Sequence, residues 1–361
     1  MRCHSCMRKS TKLYCSKCLV ELFDGKKIGS LSFDKKEFYK KRKEFAKRIS
    51  ISGVQDKISL KFDDSDELVI TDTQGHYILK PAPGSEQLEC EYDICANEHL
   101  SMQISKQIFK IPTASSALIP FCNGELAYIT KRFDYASNGD KLDQEDFASV
   151  LEHTSETQGR NYKYESSYEA CAKAIKSYVS ASLPTIEDFY TRVVVNYLIG
   201  NGDAHLKNFS LYRAEGRKDR SLTPNYDLLY TCYHIPNEEG YMGLDMFEKE
   251  LDNPTKAFEA MGYYTLEDFE LFAQKLGIKQ KRLERIFRRI LSSTPKVMDM
   301  IDNSFLSDRG KRAYKQNYLE RLQLHLCYSI KGYAFVGMMQ SIIDEEFAKI
   351  EFSNLENEPI N

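Results

Sequence analysis

The sequence predicts an α+β protein of two lobes, strand-rich in the first and helical in the second, with a cleft between them. Three observations carry this reading. Between residues 56 and 135, apolar and polar residues alternate in short runs separated by polar turns. From residue 140 onward, apolar residues recur at three- and four-residue spacing. Near residue 200, where an apolar helix meets a short strand, lies the densest polar cluster of the chain.

Composition narrows the class. The 361 residues are 42% hydrophobic and 29% charged, ordinary values for a globular chain with a sizeable core. Lys plus Arg number 50 against 53 Asp plus Glu, so whole-chain charge gives no case for indiscriminate nucleic-acid binding. No apolar run approaches the roughly 18–20 residues of a membrane span. The start, Met1-Arg2-Cys3, lacks the apolar core of a signal peptide, so a cytoplasmic protein without a membrane partner is expected. Of ten cysteines, Cys90, Cys95, Cys122, Cys171, Cys232 and Cys327 are scattered and read as free thiols acting as small apolar residues. The other four cluster near the N-terminus.

In chain order, residues 1–25 are polar and cysteine-paired, with too few apolar residues for an unaided core, and fall within a small N-terminal unit over 1–30. The charged run Phe33–Ile49 reads as a solvated helix joining two parts. In Asp56–Asp63, Ile58, Leu60 and Phe62 alternate with Lys57, Ser59 and Lys61, the period of a half-buried strand. Glu67–Thr71 and His76–Lys80 follow as strands, ended by Pro81, Pro83 and Gly84. A helix fits Glu91–Gln107, and strands fit Ser116–Pro120 and Leu126–Phe133. These complete a first lobe over 31–135. Helices then fit Phe189–Gly200, Leu266–Leu276, Lys279–Leu291 and Tyr314–Tyr328 in a second lobe over 136–350. Residues 351–361 read as a mobile acidic tail.

The polar cluster is Gly200-Asn201-Gly202-Asp203-Ala204-His205-Leu206-Lys207-Asn208. Asp203 and Asn208 are five apart, the interval between the base Asp and the metal-binding Asn of a protein-kinase catalytic loop. One must sit beside an attacking hydroxyl while the other reaches Mg²⁺ on the phosphate side. Nineteen residues beyond Asn208, Asp227 ends Leu222-Thr223-Pro224-Asn225-Tyr226-Asp227. A hairpin of Phe209–Arg213 with Ser221–Leu222 would return it to the loop as a second, carboxylate ligand; Mg²⁺ needs few protein oxygens. Lys80, ending its strand, suits the phosphate-contacting lysine of a kinase, and Glu98 on the next helix is its candidate carboxylate partner, ahead of Glu91. Ser50–Lys57 is the candidate phosphate-covering loop. It has one glycine, Gly53, and does not match the P-loop pattern. An Asx-rich turn without chemistry is the plainer account of the 200–208 loop alone.

Seven blocks together resemble the HipA-type kinases: Ile49-Ser50-Ile51-Ser52-Gly53-Val54-Gln55-Asp56-Lys57, Ile78-Leu79-Lys80-Pro81, Lys131-Arg132-Phe133-Asp134, Gln144-Glu145-Asp146, Lys163-Tyr164-Glu165, Asp203 to Asn208, and Leu222 to Asp227. They occur in the family's order over roughly residues 45–235. The resemblance implies a two-lobed protein-kinase-like fold and an ATP- and Mg²⁺-dependent serine/threonine kinase, the toxin of a bacterial toxin–antitoxin system. Family members phosphorylate aminoacyl-tRNA synthetases, notably the glutamyl and tryptophanyl enzymes. Carried over, Asp203 is the catalytic Asp, with His205 and Lys207 completing its loop. Asn208 and Asp227 hold Mg²⁺, and Lys80 contacts ATP phosphate. The backbone around Lys131 and Phe133 receives adenine, and Gly53, Val54 and Gln55 lie in the ATP loop. Ser50 matches the autophosphorylated serine, and Ser52 adds the second serine of the short, HipT-like kinases. Implied partners are a HipB-like DNA-binding antitoxin, so that DNA is met only indirectly, and a small HipS-like protein.

The chain departs from longer members by lacking an additional subdomain before the Ser-x-Ser loop. It carries Cys3-His4-Ser5-Cys6 and Cys15-Ser16-Lys17-Cys18 instead, eight residues apart. Paired Cys-x-x-Cys motifs suit one structural Zn²⁺ in a small ribbon, which the metal stabilises. A redox pair and four independent thiols are the alternatives. A small-molecule kinase, and a pseudokinase serving as a binding module in an antitoxin–DNA complex, are the other functional readings. The full set of Lys80, Asp203, Asn208 and Asp227 argues against the latter.

Overall fold

The N-terminal segment opens with the Cys3–Cys6 turn, flanked by an isolated antiparallel bridge between Arg2 and Lys9. Helix α1 (Ser16–Phe23) follows directly on Cys15 and ends where Asp24 and Gly25 take left-handed backbone. This computed structural model describes residues 1–46, 56–84, 88–235, 242–248, 255–323, 344–345 and 348. The expected ribbon is therefore a cysteine turn and a helix. Leu22 and Phe23 fall on the helix's buried side, and a helix buries them where a short hairpin would not. Helix α2 (Lys35–Ala46) is started by Asp34, whose carboxylate accepts from the Glu37 N–H at 2.9 Å. It is more than a solvated connector, because Phe38 is fully buried against the first lobe.

Strands β1 (Ile58–Phe62), β2 (Leu68–Thr71), β3 (Tyr77–Pro81), β4 (Ser116–Pro120) and β5 (Leu126–Lys131) form an antiparallel sheet in the order β2-β1-β3-β5-β4. Alternation sorts its two faces. Ile58, Leu60, Tyr77, Leu79, Ala117, Ile119, Ala127 and Ile129 share a core with Tyr14, Leu22, Phe23, Leu31, Phe33 and Phe38. The N-terminal segment thus supplies one covering layer of the sheet rather than a separate domain. The opposite face, with Leu118 and Tyr128, joins the main core. There α3 (Ile94–Gln103) packs on β4 and β5, and all ten of its residues are buried. It is entered by a 3₁₀ turn at Glu91–Asp93 and continued by a π-helical turn, Ile104–Ile108.

The second lobe begins with β6 (Gln144–Asp146), α4 (Phe147–Val150), α5 (Ser155–Gln158), α6 (Tyr168–Tyr178) and α7 (Ser182–Ile199). Helix α7 is its axis, buried continuously from Phe189 to Ile199. It starts earlier than apolar periodicity suggests because Pro184 sits in the first turn, where a missing N–H costs nothing. β7 (Ser210–Tyr212) and β8 (Ser221–Leu222) form the expected hairpin and join β6 in the order β6-β7-β8. Helices α8 (Lys256–Met261), α9 (Leu266–Lys275), α10 (Gln280–Ser292), α11 (Thr294–Asp302) and α12 (Asp308–Glu320) complete the lobe. Buried Asp93 ties α12 to the entrance of α3. Its carboxylate accepts from the Ser307 N–H at 2.8 Å and from the Ser307 and Tyr233 hydroxyls.

Candidate active site

A cleft of about 600 Å³ lies between the lobes, lined by Lys80, Glu98, Asp203, His205, Lys207, Asn208 and Asp227 among others. Lys80 lies on β3 with Tyr128 opposite it in register, on the sheet face that α3 covers. From there its ammonium donates to Glu98 at 2.7 Å and also to Asp227. Burial penalises the Lys80 charge, but Asp227 and Glu98 outweigh it and hold the ammonium above the usual lysine range. Burial also dominates at Glu98, raising it to about 7 against the opposing pull of Lys80. Asp227 ends below the usual carboxylate range, because Lys80 more than offsets its burial. A single cation thus joins a strand, a helix and the loop after β8.

The Asp203 loop is built on the end of α7. Gly200 takes φ +74°, and its N–H reaches back to the Asn196 and Tyr197 carbonyls. A Cβ there would lie 2.7 Å from the Tyr230 ring, so glycine is required twice over. Asn201 is buried and donates to Asn196 Oδ1 at 2.8 Å, while Thr231 Oγ1 accepts from the Gly202 N–H at 2.8 Å. The Asn208 amide donates to the Asp203 carbonyl at 2.9 Å, which leaves its Oδ1 as the atom available to a hard cation. The Asp203 side chain is 39% exposed and accepts from the Tyr164 hydroxyl. His205 Nε2 lies 3.7 Å from Asp203, and burial lowers the imidazole pKa toward the neutral form.

Asp227 reaches the cleft through a contact between the lobes. Asn225 bridges in parallel to Thr113, donating its N–H to Pro112 at 2.7 Å and accepting from Ala114 at 3.0 Å. Two residues on, Asp227 takes φ +60°, a left-handed conformation that Asp tolerates better than most residues. The turn aims its carboxylate at Lys80.

The structure thus gathers Lys80, Glu98, Asp203, His205, Lys207, Asn208 and Asp227 around one cleft. Lys207 lines it while pairing with Asp146 at 2.8 Å. Lys131 does not turn into the cleft: its amine pairs with Asp24 at 2.5 Å and its N–H donates to Ser115 at 2.9 Å. Phe133 packs on Tyr226, the neighbour of Asp227, with ring centroids 5.5 Å apart. Ser50, Ser52, Gly53, Val54 and Gln55 lie outside the described residues. Tyr164 and Gly243 carried no individual role in the sequence, and Lys57 stood only as the last residue of the candidate phosphate-covering loop. Lys57 is a further cleft lysine, depressed by burial and by Lys80 against the pull of Asp227. Both Lys57 and Tyr164 stand in blocks that carry the resemblance. Gly243 packs so tightly on the Asp203 loop that a Cβ would meet the Ala204 nitrogen at 2.5 Å, and nothing local in the sequence signals that contact.

At the far side of the first lobe, the Sγ atoms of Cys3, Cys6, Cys15 and Cys18 lie within 4.8 Å of one another. Tetrahedral zinc, with bonds of about 2.3 Å, sets its sulfur ligands about 3.8 Å apart. Cys6 and Cys15 are already 3.9 Å apart. The donor set and its spacing therefore fit one zinc ion.

Fold and site together define a two-lobed α+β protein of the protein-kinase-like, HipA type. Residues 49–298 match the HipA-like C-terminal domain, and the chain belongs to that family. It is 29% identical over 325 residues to a Haemophilus influenzae protein named "Putative kinase", spanning 86% of this chain and 92% of that one. It is 31% identical over 211 residues to "Putative kinase Y4dM" of Sinorhizobium fredii, spanning 54% and 48%. Among solved structures it is similar to HipA of Shewanella oneidensis MR-1, from a toxin–antitoxin complex with HipB and operator DNA. That match has TM-score 0.52 and 18% identity, covering 82% of this chain and 67% of that one. At such identity the likeness is one of fold.

Proposed function

We propose that this protein is an ATP- and Mg²⁺-dependent serine/threonine kinase acting as the toxin of a toxin–antitoxin system. One observation carries the reading: buried Lys80 bridges Glu98 and Asp227 on the wall of the same cleft that presents Asp203 and Asn208. A phosphoryl-transfer site needs little covalent chemistry from the protein, and most of its work is positioning and charge neutralisation. In this reading Lys80 holds nucleotide phosphate, oriented by Glu98. Asp227 and Asn208 Oδ1 supply the hard oxygens for Mg²⁺, which neutralises phosphate charge when bound. Asp203, exposed toward the cleft and steadied by Tyr164, accepts the proton of the acceptor hydroxyl as that oxygen attacks phosphorus. The four cysteines hold a structural Zn²⁺.

The acceptor is a protein, for which the family likeness suggests an aminoacyl-tRNA synthetase, so that translation is inhibited. Ser50 and Ser52 are the proposed autophosphorylation sites, and a HipB-like antitoxin, with a small HipS-like protein, is the proposed partner. The solved HipA in complex with HipB and operator DNA supports the antitoxin reading. No helix among the described residues is long and apolar enough to cross a membrane. The test is phosphoryl transfer by wild type, Asp203→Ala and Asp227→Ala, with phosphoproteomics of the host. Each substitution should lower Mg²⁺-dependent transfer by about 10²-fold or more while leaving the circular dichroism spectrum unchanged. Transfer at wild-type rates by both variants would overturn the assignment.

A further inference from the structure

The cysteine turn is fastened to α3, which carries Glu98, to the π-helical turn after it and to edge strand β4, and each carbonyl from His4 to Cys6 accepts a separate hydrogen bond from them. The His4 carbonyl accepts from the Leu118 N–H on edge strand β4 at 2.9 Å. The Ser5 carbonyl accepts from His99 Nε2 on α3 at 2.7 Å. The Cys6 carbonyl accepts from Gln107 Nε2, in the π-helical turn after α3, at 2.9 Å. Ser5 Oγ adds a bond to the Ser116 carbonyl, and the Tyr14 hydroxyl one to Leu118, both at 2.8 Å. The turn therefore caps the exposed edge of the sheet and grips α3 in its middle and at its end.

His99 is the link that matters for the cleft. It is fully buried and directly follows Glu98. Neighbouring helix positions point about 100° apart, so one turn of α3 presents Glu98 to Lys80 and His99 to the cysteine turn. We infer that His99 is a positioning residue: it transmits the geometry of the metal-bound cysteine turn to α3 and so fixes Glu98 against Lys80. A metal ion rigidifies the backbone between its ligands, and Ser5 lies between Cys3 and Cys6. A rigid acceptor at Ser5 defines where α3 sits along the sheet. A hydrogen bond to a mobile loop would not. The inference rests on the kinase reading for its functional consequence and on the hydrogen bonds for its structural one.

The experiment compares the zinc-loaded full chain with His99→Met, which fills the volume without a donor, and His99→Gln, which restores an N–H of similar reach. Three quantities are read: zinc content, amide exchange of residues 94–103 against that of α7, and affinity for MgADP. Losing the bond should leave about one zinc per chain and α7 protection unchanged. Exchange across α3 should rise about tenfold and MgADP binding should weaken about tenfold, with His99→Gln close to wild type. Stripping zinc from the wild type with a chelator should reproduce both effects without any substitution, so the test survives a variant that fails to fold. Unchanged α3 exchange in His99→Met or in zinc-stripped protein overturns the inference, as does equal loss in His99→Met and His99→Gln. A wild type that neither binds MgADP nor transfers phosphate sinks the kinase reading instead, and α3 exchange still decides the positioning role.

Discussion

His99 also gives the molecule a specific response to acid. Its Nε2–H is committed to the Ser5 carbonyl, and its buried Nδ1 has no hydrogen-bond partner among the described residues. A second proton would therefore be placed in the core without an acceptor, and burial lowers the imidazole pKa to about 4. The unfolded chain has the ordinary histidine value of about 6.5. The folded value being the lower one, the unfolded state binds more protons between the two. Stability is then fully present above about pH 6.5 and is lost as pH falls toward 4, by about 2 kcal/mol between pH 7 and 5. Denaturant unfolding of wild type and His99→Gln at both pH values checks this. The glutamine variant should lose less stability by about that amount, and equal losses would remove His99 as the source.

Among the elements, the Asp203 loop depends on partners far along the chain. Gly243 lies against its backbone, where an added Cβ would sit 2.5 Å from the Ala204 nitrogen and 2.6 Å from its carbonyl carbon. The Tyr168 hydroxyl also donates to the Ala204 carbonyl at 2.9 Å, so the loop has little room to yield. Gly243→Ala should cost about 1–3 kcal/mol of stability by overpacking, and should lower the transfer rate at saturating ATP at least tenfold through displacement of Asp203. Thermal melts with single-turnover rates test both, and a variant with wild-type rate would show that the loop tolerates the shift. Much of this region was legible beforehand. Gly200, the Asp203–Asn208 interval and the returning hairpin are local patterns, whereas the Gly243 contact spans 39 residues and left no local mark.

For the whole molecule, the N-terminal segment is a layer of the first lobe. Tyr14, Leu22 and Phe23 share one core with β1, β3, β4 and β5. Arg2 and Phe305 extend the contact to the second lobe, with the His4 and Phe305 rings 4.9 Å apart. Removing the metal should therefore destabilise the lobe as a unit instead of melting a detached appendage. Freshly purified protein should contain about one zinc by elemental analysis. Chelation should lower the midpoint of a single thermal transition, by about 1–2 °C for each kcal/mol in a chain of this length. A separate low-temperature transition would mean that the segment folds on its own, and metal-free protein with an unchanged midpoint would remove zinc from the account.

What the sequence alone determined is what short-range chemistry encodes. Alternation placed β1 to β5, three- and four-residue spacing placed the long helices, and the order of polar residues placed Asp203 and Asn208 on one loop. Lys80 and Glu98 could be named because each stands at a fixed position of its own strand or helix. Only the tertiary structure decided what those positions face. It brought Asp227 onto Lys80 through the Asn225 bridge, turned Lys131 away to Asp24, and laid the cysteine turn along the edge of β4. The physical reason is that periodicity reports which face of an element is buried, while the identity of the neighbour depends on chain closure over tens of residues. That choice is made by packing and by satisfying buried polar groups together, and no single window of sequence contains both partners.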